Sequence, residues 1–258
     1  MTSATLRPLS IGEILDTSFQ LYRRYFVTLA TIGVLCTAIP LMLDVYIEAS
    51  GGRLGHVALA MFSALLLMVL NSVATAATVF VVSEGYLGRE VGAGEGLQLA
   101  APFVGRLIVA QILYSILAFF GALLFIIPGL IVLVGMSLTA PALVVENLPS
   151  STAALGRSWA LTKGARWKLI GIFIPLVLLL VVPMIGITVV VGLLAAIIGL
   201  DPSGNSASVG VLGAAFAGLV QMLVYPLFNC ALTIAYYDQR IRKEGFDLEF
   251  LASSLRAA

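Results

Sequence analysis

The 258-residue chain is 60% hydrophobic and only 10% charged, with a formal net charge of +1. Soluble domains carry about a quarter charged residues, so this composition excludes a water-covered globule and leaves lipid as the solvent for most of the chain. The balanced charge excludes the basic excess of a nucleic-acid binder. A continuous apolar run in lipid must satisfy its own backbone, which a helix does. The fold class read is therefore all-α: a polytopic integral membrane helical bundle, one membrane domain over residues 1–258.

Residues 1–25 precede the first apolar run. The stretch MTSATLRPLSIGEILDTSFQ lacks a basic start followed by an apolar core, so targeting is expected to rest with the first span rather than a cleaved signal. SIGE, Ser10 to Glu13, reads as a capping box that opens a cytoplasmic amphipathic helix. Ile11, Leu15, Ser18 or Phe19, and Tyr22 fall near one face, with Glu13, Thr17, Gln20 and Arg24 near the other. Six apolar segments follow, near Phe26–Ile47, Val57–Val82, Leu107–Ile127, Leu130–Val145, Leu169–Ile198 and Val209–Tyr237. All are long enough, or nearly so, for a core of about 30 Å. Pro128 and Gly129 are expected to turn a tight hairpin between the third and fourth. Pro175 and Pro183 are expected to kink or tilt the fifth.

Positive charge sets the orientation. Arg7, Arg23 and Arg24 precede the first span, and Arg89 and Arg106 flank the second connection. Arg157, Lys163, Arg166 and Lys168 lie in the fourth connection; Arg240, Arg242, Lys243 and Arg256 follow the sixth span. Of the 14 Lys and Arg residues only Arg53, in the first connection, falls on the other side. The positive-inside rule then implies both termini in the cytoplasm. The outward connections, near Ala49–His56 and Leu200–Ser208, are short Gly- and Ser-containing turns.

The cytoplasmic segments share a plan. SSTAALGRSWALTKGARWKL starts at a Ser/Thr cap, spaces Leu155 and Trp159 four apart and stops at Gly164; GEGLQLAAPFVGRL is a weaker copy. The chain thus reads as three units, each an interfacial amphipathic helix followed by a transmembrane hairpin. The closing YYDQRIRKEGFDLE completes the pattern. Tyr236 and Tyr237 read as an aromatic belt, Arg240, Arg242 and Lys243 as the charged lock, and Gly245 as a C-cap. Asp238 and Arg242 are spaced for a helical ion pair, and a short last helix is expected over Leu248–Leu255. Asp238 and Arg240 either serve only this lock or turn inward toward Glu84, Glu146 or Arg157, forming a cytoplasmic-face network.

Within the spans, the amides Asn71, Gln111, Gln221 and Asn229 are the candidate polar positions. They either line a cavity or make interhelical hydrogen bonds of about 0.6–2 kcal/mol each. Gly210, Ala214 and Gly218 recur every fourth residue on the sixth span, as do Gly192/Ala196 and Ala195/Gly199 on the fifth. This predicts intramolecular packing of spans five and six, with a homodimer face as the less favoured alternative. Cys36 and Cys230 lie in apolar runs and read as small buried hydrophobes. The chain has one histidine, His56, and neither H-E-x-x-H nor G-K-S/T. Gly156-Arg157-Ser158 resembles half a nucleophile elbow without the second glycine. No catalytic residue, cofactor or metal is implied.

LRPLSIGEILDTSFQLYRRYF resembles the opening of the bacterial glycerophosphoryl diester phosphodiesterase membrane-domain family. IPGLIVLVGMSLTAPALVVEN, AALGRSWALTKGARWKL and YYDQRIRKEGFDLE are similar to its middle and end, in that order and over essentially the whole chain. The resemblance implies a six-helix module of the bacterial cytoplasmic membrane, without the soluble hydrolase that follows it in some members, and transfers no catalytic residue. Three readings follow. The first is a non-enzymatic scaffold or lipid-interacting module whose partners are the bilayer, anionic headgroups or a cytoplasmic protein. The second is a small-molecule or lipid transporter with a midplane cavity near Asn71 and Gln221. The third is a lipid phosphodiester enzyme built on Glu84, Glu146, Asp238 and Glu244.

Overall fold

A computed structural model describes residues 7–50, 56–197 and 207–246. Among these residues the chain is all-helical. A short helix is followed by a pair of long apolar ones, three times over: α1 (Ile11–Arg24), then α2 (Phe26–Ala49) and α3 (Val57–Tyr86). Next come α4 (Ala93–Ala100), α5 (Val104–Leu124) and a broken partner, α6 (Ile126–Gly135) plus α7 (Thr139–Val145). The third unit is α8 (Ser151–Thr162), α9 (Arg166–Ile197) and α10 (Ala207–Glu244). Six segments are long and apolar enough to cross a membrane: Phe26–Ala49, Val57–Tyr86, Ala93–Leu124, Ile126–Val145, Arg166–Leu194 and Gly210–Glu244. The two outward connections, much of the Ala195/Gly199 and Gly192/Ala196 pairs, and the expected helix Leu248–Leu255 lie outside the described residues.

Local chemistry places the helix ends. The Ser10 side chain accepts from the Glu13 backbone N–H while the Ser10 N–H donates to the Glu13 carboxylate at 2.7 Å, so the capping box is formed. The Ser10 N–H, its hydroxyl and then Arg7 hold the Glu13 carboxyl down to about 2. Gly164 and Gly245, at φ 83° and 63°, end α8 and α10 in the left-handed conformation that a Cβ disfavours. On α1 the buried face is Ile14, Ser18 and Leu21, continued by Tyr25, and Phe19 points away at 57% exposure. The expected apolar face is therefore rotated by about one residue toward the helices that cover it.

α10 is the hub. It packs against α1, α2, α3, α7, α8 and α9. α9 is the outlier: only 6% of its most apolar window is buried inside the protein, against 50% for α3, so α9 lies on the bundle's rim. Spans five and six do pack together as α9 and α10, but the small-residue stripe on α10 faces α2 instead. A Cβ on Gly218 would meet Leu41 Cδ1 at 2.3 Å, and one on Gly210 would meet Glu48 Oε2 at 2.5 Å, both on α2. Ala214 lies between them on the same stripe. From the α2 side, a Cβ on Gly33 would sit 3.0 Å from the Met222 carbonyl. Pro226 explains that contact: it removes the N–H that would have bonded the Met222 carbonyl and crowds it outward. The neighbouring Leu223 carbonyl accepts from the Tyr22 hydroxyl at 2.9 Å.

The fourth span differs from expectation in two ways. The hairpin turns at Phe125, which is extended (φ −164°, ψ 154°), and Pro128 and Gly129 sit inside the first turn of α6. Gly129 does serve the hairpin, because a Cβ there would lie 2.8 Å from the Ala122 backbone of α5. The span then breaks between Gly135 and Thr139, and α8 repairs the break. Ser158 and Thr162 donate to the freed Gly135 carbonyl at 3.0 and 2.9 Å, and the Leu138 N–H donates to Ser158 Oγ at 3.1 Å. Ser158, half of a nucleophile elbow in sequence, is a buried cap for another helix.

These contacts predict that Gly218→Leu destabilises the protein in detergent by about 1–3 kcal/mol through overpacking against α2. Gly186→Leu, where a Cβ meets nothing within 4 Å, is expected to leave thermal unfolding unchanged. Equal effects of the two would contradict an α2–α10 seam.

Candidate functional site: a charged clamp and a polar cavity

The charged end of the bundle carries two separate ion clusters. In the first, Asp238 is fully buried, with a side-chain exposure of 0%. Its Oδ2 accepts from Lys168 Nζ at 2.6 Å and from Gln239 at 2.9 Å, and its Oδ1 accepts from the Leu9 N–H at 2.8 Å and from Arg242 Nε at 3.0 Å. Lys168 and Arg242 also donate to the Leu9 carbonyl, at 2.6 and 2.7 Å. One carboxylate thus joins the lead-in to α1, the start of α9 and the end of α10. The Asp238–Arg242 pair read from the sequence forms within the last turns of α10, which runs on to Glu244.

The second cluster centres on Glu146, just after α7. It accepts from Arg157 Nε at 2.9 Å and from the Tyr236 hydroxyl at 2.7 Å, and Arg240 approaches it at 3.9 Å. Arg157 also makes a two-pronged contact to Glu244 at 2.5 and 2.8 Å, and Arg240 reaches Glu244 at 3.1 Å. Glu244 and then Glu146 raise the Arg157 pKa further above its ordinary value. Of the five positions predicted for one network, three come together here: Glu146, Arg157 and Arg240. Asp238 joins Lys168 instead, and Glu84 pairs with the exposed Arg89 at 3.3 Å. Tyr236 and Tyr237 form no interfacial belt. Both are buried, Tyr236 on Glu146 and Tyr237 hydrogen-bonded to Ser83.

The mid-span amides divide. Gln111 and Asn229 share a cavity of about 200 Å³, whose polar lining also includes Thr75, Tyr114, Ser137, Thr139 and Tyr225. Gln111 lies seven residues into α5 and Asn229 eight residues before Tyr237, placing the cavity about 10–12 Å in from the charged end. Asn71 and Gln221 line a separate space of about 10 Å³, at the limit for one water molecule. Tyr225 separates the two spaces: its hydroxyl accepts from Asn71 Nδ2 at 3.1 Å and lies 3.1 Å from the Thr75 hydroxyl. Gln111 Oε1 accepts from Ser72 at 3.2 Å, and Asn229 Nδ2 donates to the Tyr225 carbonyl at 3.2 Å. That leaves the Gln111 amino group and the Asn229 carbonyl oxygen without a partner among the described residues.

Sequence reasoning missed Tyr225, although Gln221, Tyr225 and Asn229 sit at four-residue spacing on one face of α10. It missed Lys168 as a partner of Asp238, since 70 residues separate them.

No family model matches this chain, and no curated protein or solved structure matches it. The fold itself defines the class: among the described residues the chain is all-helical, with six helices long and apolar enough to span a membrane, as in a multi-pass membrane protein.

Removing one partner of a buried ion pair costs about 3–5 kcal/mol. Asp238→Ala is therefore expected to lower the unfolding midpoint in detergent steeply, while Arg89→Ala at the exposed pair changes stability by less than about 1 kcal/mol. Similar midpoints for the two variants would show that Asp238 is not a clamp.

Proposed function

We propose that this is a non-enzymatic, lipid-interacting module of the bacterial cytoplasmic membrane, with its charged end and both termini in the cytoplasm. The observation that carries the reading is the uncharged polar cavity, set about 10–12 Å in from the Arg/Lys-rich end by helical rise and bounded by the nearly filled space beside Asn71. A pocket of this kind suits a ligand entering from the cytoplasmic leaflet. α1, α4 and α8 lie against the cytoplasmic surface, and Trp167, 85% exposed at the start of α9, sits at headgroup depth beside them. The resemblance to the membrane-domain family of glycerophosphoryl diester phosphodiesterases fits this architecture and stays part of the proposal.

The other readings draw less support. A transport path through the midplane needs a polar lining beyond Tyr225, and the space that continues past Gln221 between α9 and α10 is lined by apolar side chains. The carboxylates of a phosphodiester enzyme are held in ion pairs, Glu84 to Arg89, Glu146 and Glu244 to Arg157, and Asp238 to Lys168.

Orientation is tested by single-cysteine labelling, with Cys36 and Cys230 as buried background. Val57→Cys is expected to react with a membrane-impermeant maleimide in intact cells, and Gly94→Cys only after lysis. The reverse pattern would overturn the assignment. Lipid interaction is tested by extracting lipid from purified protein: Gln111→Leu with Asn229→Leu is expected to reduce retained lipid several-fold at unchanged helicity. An unchanged lipid yield would remove the cavity from the function.

A further inference from the structure

The polar cavity does not stand alone. A groove of about 440 Å³, lined by Leu130, Leu133, Ile170, Ile174 and Leu178, meets it at Tyr114, Phe173 and Phe228. A second groove, of about 510 Å³, runs between α9 and α10 past Leu176, Leu180, Met184, Ala217 and Val224, and meets the cavity at Tyr225 and Phe228. Phe228 borders all three spaces, and Val177 on α9 borders both grooves. The two grooves share one face of α9, the least buried span among the described residues, and leave the polar chamber in different directions, one toward α6 and one along α10. Apart from Gln221 and the ring edges of Tyr114 and Tyr225, both grooves are apolar.

The chamber itself carries no charge. Its polar lining consists of amides and hydroxyls, and none of its lining residues is Arg, Lys, Asp or Glu. The cations nearest along the chain are engaged elsewhere. Arg106 donates to the Leu148 and Pro102 carbonyls and lies over the Phe103 ring, and Lys168 is held by Asp238 and Leu9. Burying an ionised phosphate without a cation is strongly unfavourable. An uncharged hydroxyl or ester group, by contrast, meets what the chamber offers: the spare amino group of Gln111 as donor and the spare carbonyl of Asn229 as acceptor.

We propose that this site binds a two-chain lipid with an uncharged hydroxyl headgroup, of the diacylglycerol class: the glycerol hydroxyl and esters in the Gln111–Asn229 chamber, one acyl chain in each groove. The inference rests on the lipid-interacting reading above and names its ligand class. The recognition is by hydrogen bonding at the chamber and by burial of methylenes along α9, each worth about 0.8 kcal/mol when transferred from water but almost nothing when exchanged with bulk lipid. Selectivity among bilayer lipids must therefore come from the headgroup chamber and from the divergence of the two grooves.

The test uses the full chain in phosphatidylcholine nanodiscs and a diazirine-bearing diacylglycerol as photoprobe, with labelled positions mapped by peptide mass spectrometry. Labelling is expected to concentrate on α9 and α10 around Val177 and Phe228. Unlabelled dioleoylglycerol is expected to compete at least tenfold better than dioleoylphosphatidylglycerol and better than monooleoylglycerol. Val177→Trp, which narrows both grooves where they meet on α9, should cut labelling about tenfold at an unchanged unfolding midpoint, and Gln111→Leu, which removes the chamber's donor, should cut it about tenfold with the midpoint lowered by no more than the lost Ser72 bond. Equal competition by phosphatidylglycerol would overturn the uncharged-headgroup assignment while leaving a lipid module in place, and equal competition by monooleoylglycerol would overturn the two-groove assignment. Labelling spread evenly over all lipid-facing helices, with no competitor effective, would bring down both the ligand class and the lipid-interacting reading.

Discussion

A buried carboxylate in an apolar bundle is tolerable only when its charge and its lone pairs are answered, and Asp238 has all of this. Two cations, a side-chain amide and a backbone N–H converge on it. It ties together the lead-in to α1, the base of α9, which is the least buried span, and the end of α10, which the Arg157–Glu244 contact also holds. With the clamp closed, α1 is pinned over the end of α10, and the base of α9 is fixed beside Phe228 and the polar chamber. The second cluster, around Glu146, does the same for α7 and α8. The geometry of the chamber thus depends on ion pairs some distance below it.

Membrane helices gain no hydrophobic energy from meeting each other, since lipid tails are as apolar as leucine. Close packing and internal hydrogen bonds must supply the cohesion. The bundle uses both at the α2–α10 seam, where glycines admit the backbones and Pro226 presents a carbonyl. It also uses polar repair where helices break. The interruption between α6 and α7 would leave bare backbone groups in lipid, and α8 supplies Ser158 and Thr162 to satisfy them. Breaks in spans are tolerated only where such partners exist. This one places Ser137 and Thr139 in the chamber wall.

How much was legible in the sequence varies with the range of the interaction. The capping box at Ser10 and Glu13, the glycine stops at Gly164 and Gly245, and the Asp238–Arg242 pair are all local. They depend on neighbours within a few residues, and each appears in the structure as read. The amides Gln111 and Asn229 were recognisable as unusual in an apolar span, but nothing along the chain says that they face each other across α5 and α10. The glycine stripe on α10 was recognisable too, yet its partner was misjudged. Sequence adjacency favoured α9, whereas the bundle's topology brings α2 to that face. Tyr236 and Tyr237 carry the composition of an interfacial belt, and their burial follows from partners, Glu146 and Ser83, that lie about 90 and 154 residues away.

Composition and helical period alone were sufficient to set the number of apolar spans, their approximate limits and the concentration of Arg and Lys at one end, because these depend only on transfer of residues between water and lipid. Which carboxylate meets which cation, which stripe meets which helix, and where empty space remains were decided by tertiary structure. Those outcomes depend on shape complementarity between segments far apart in the chain. Lipid is indifferent to which apolar faces meet, so hydropathy carries no information about the choice.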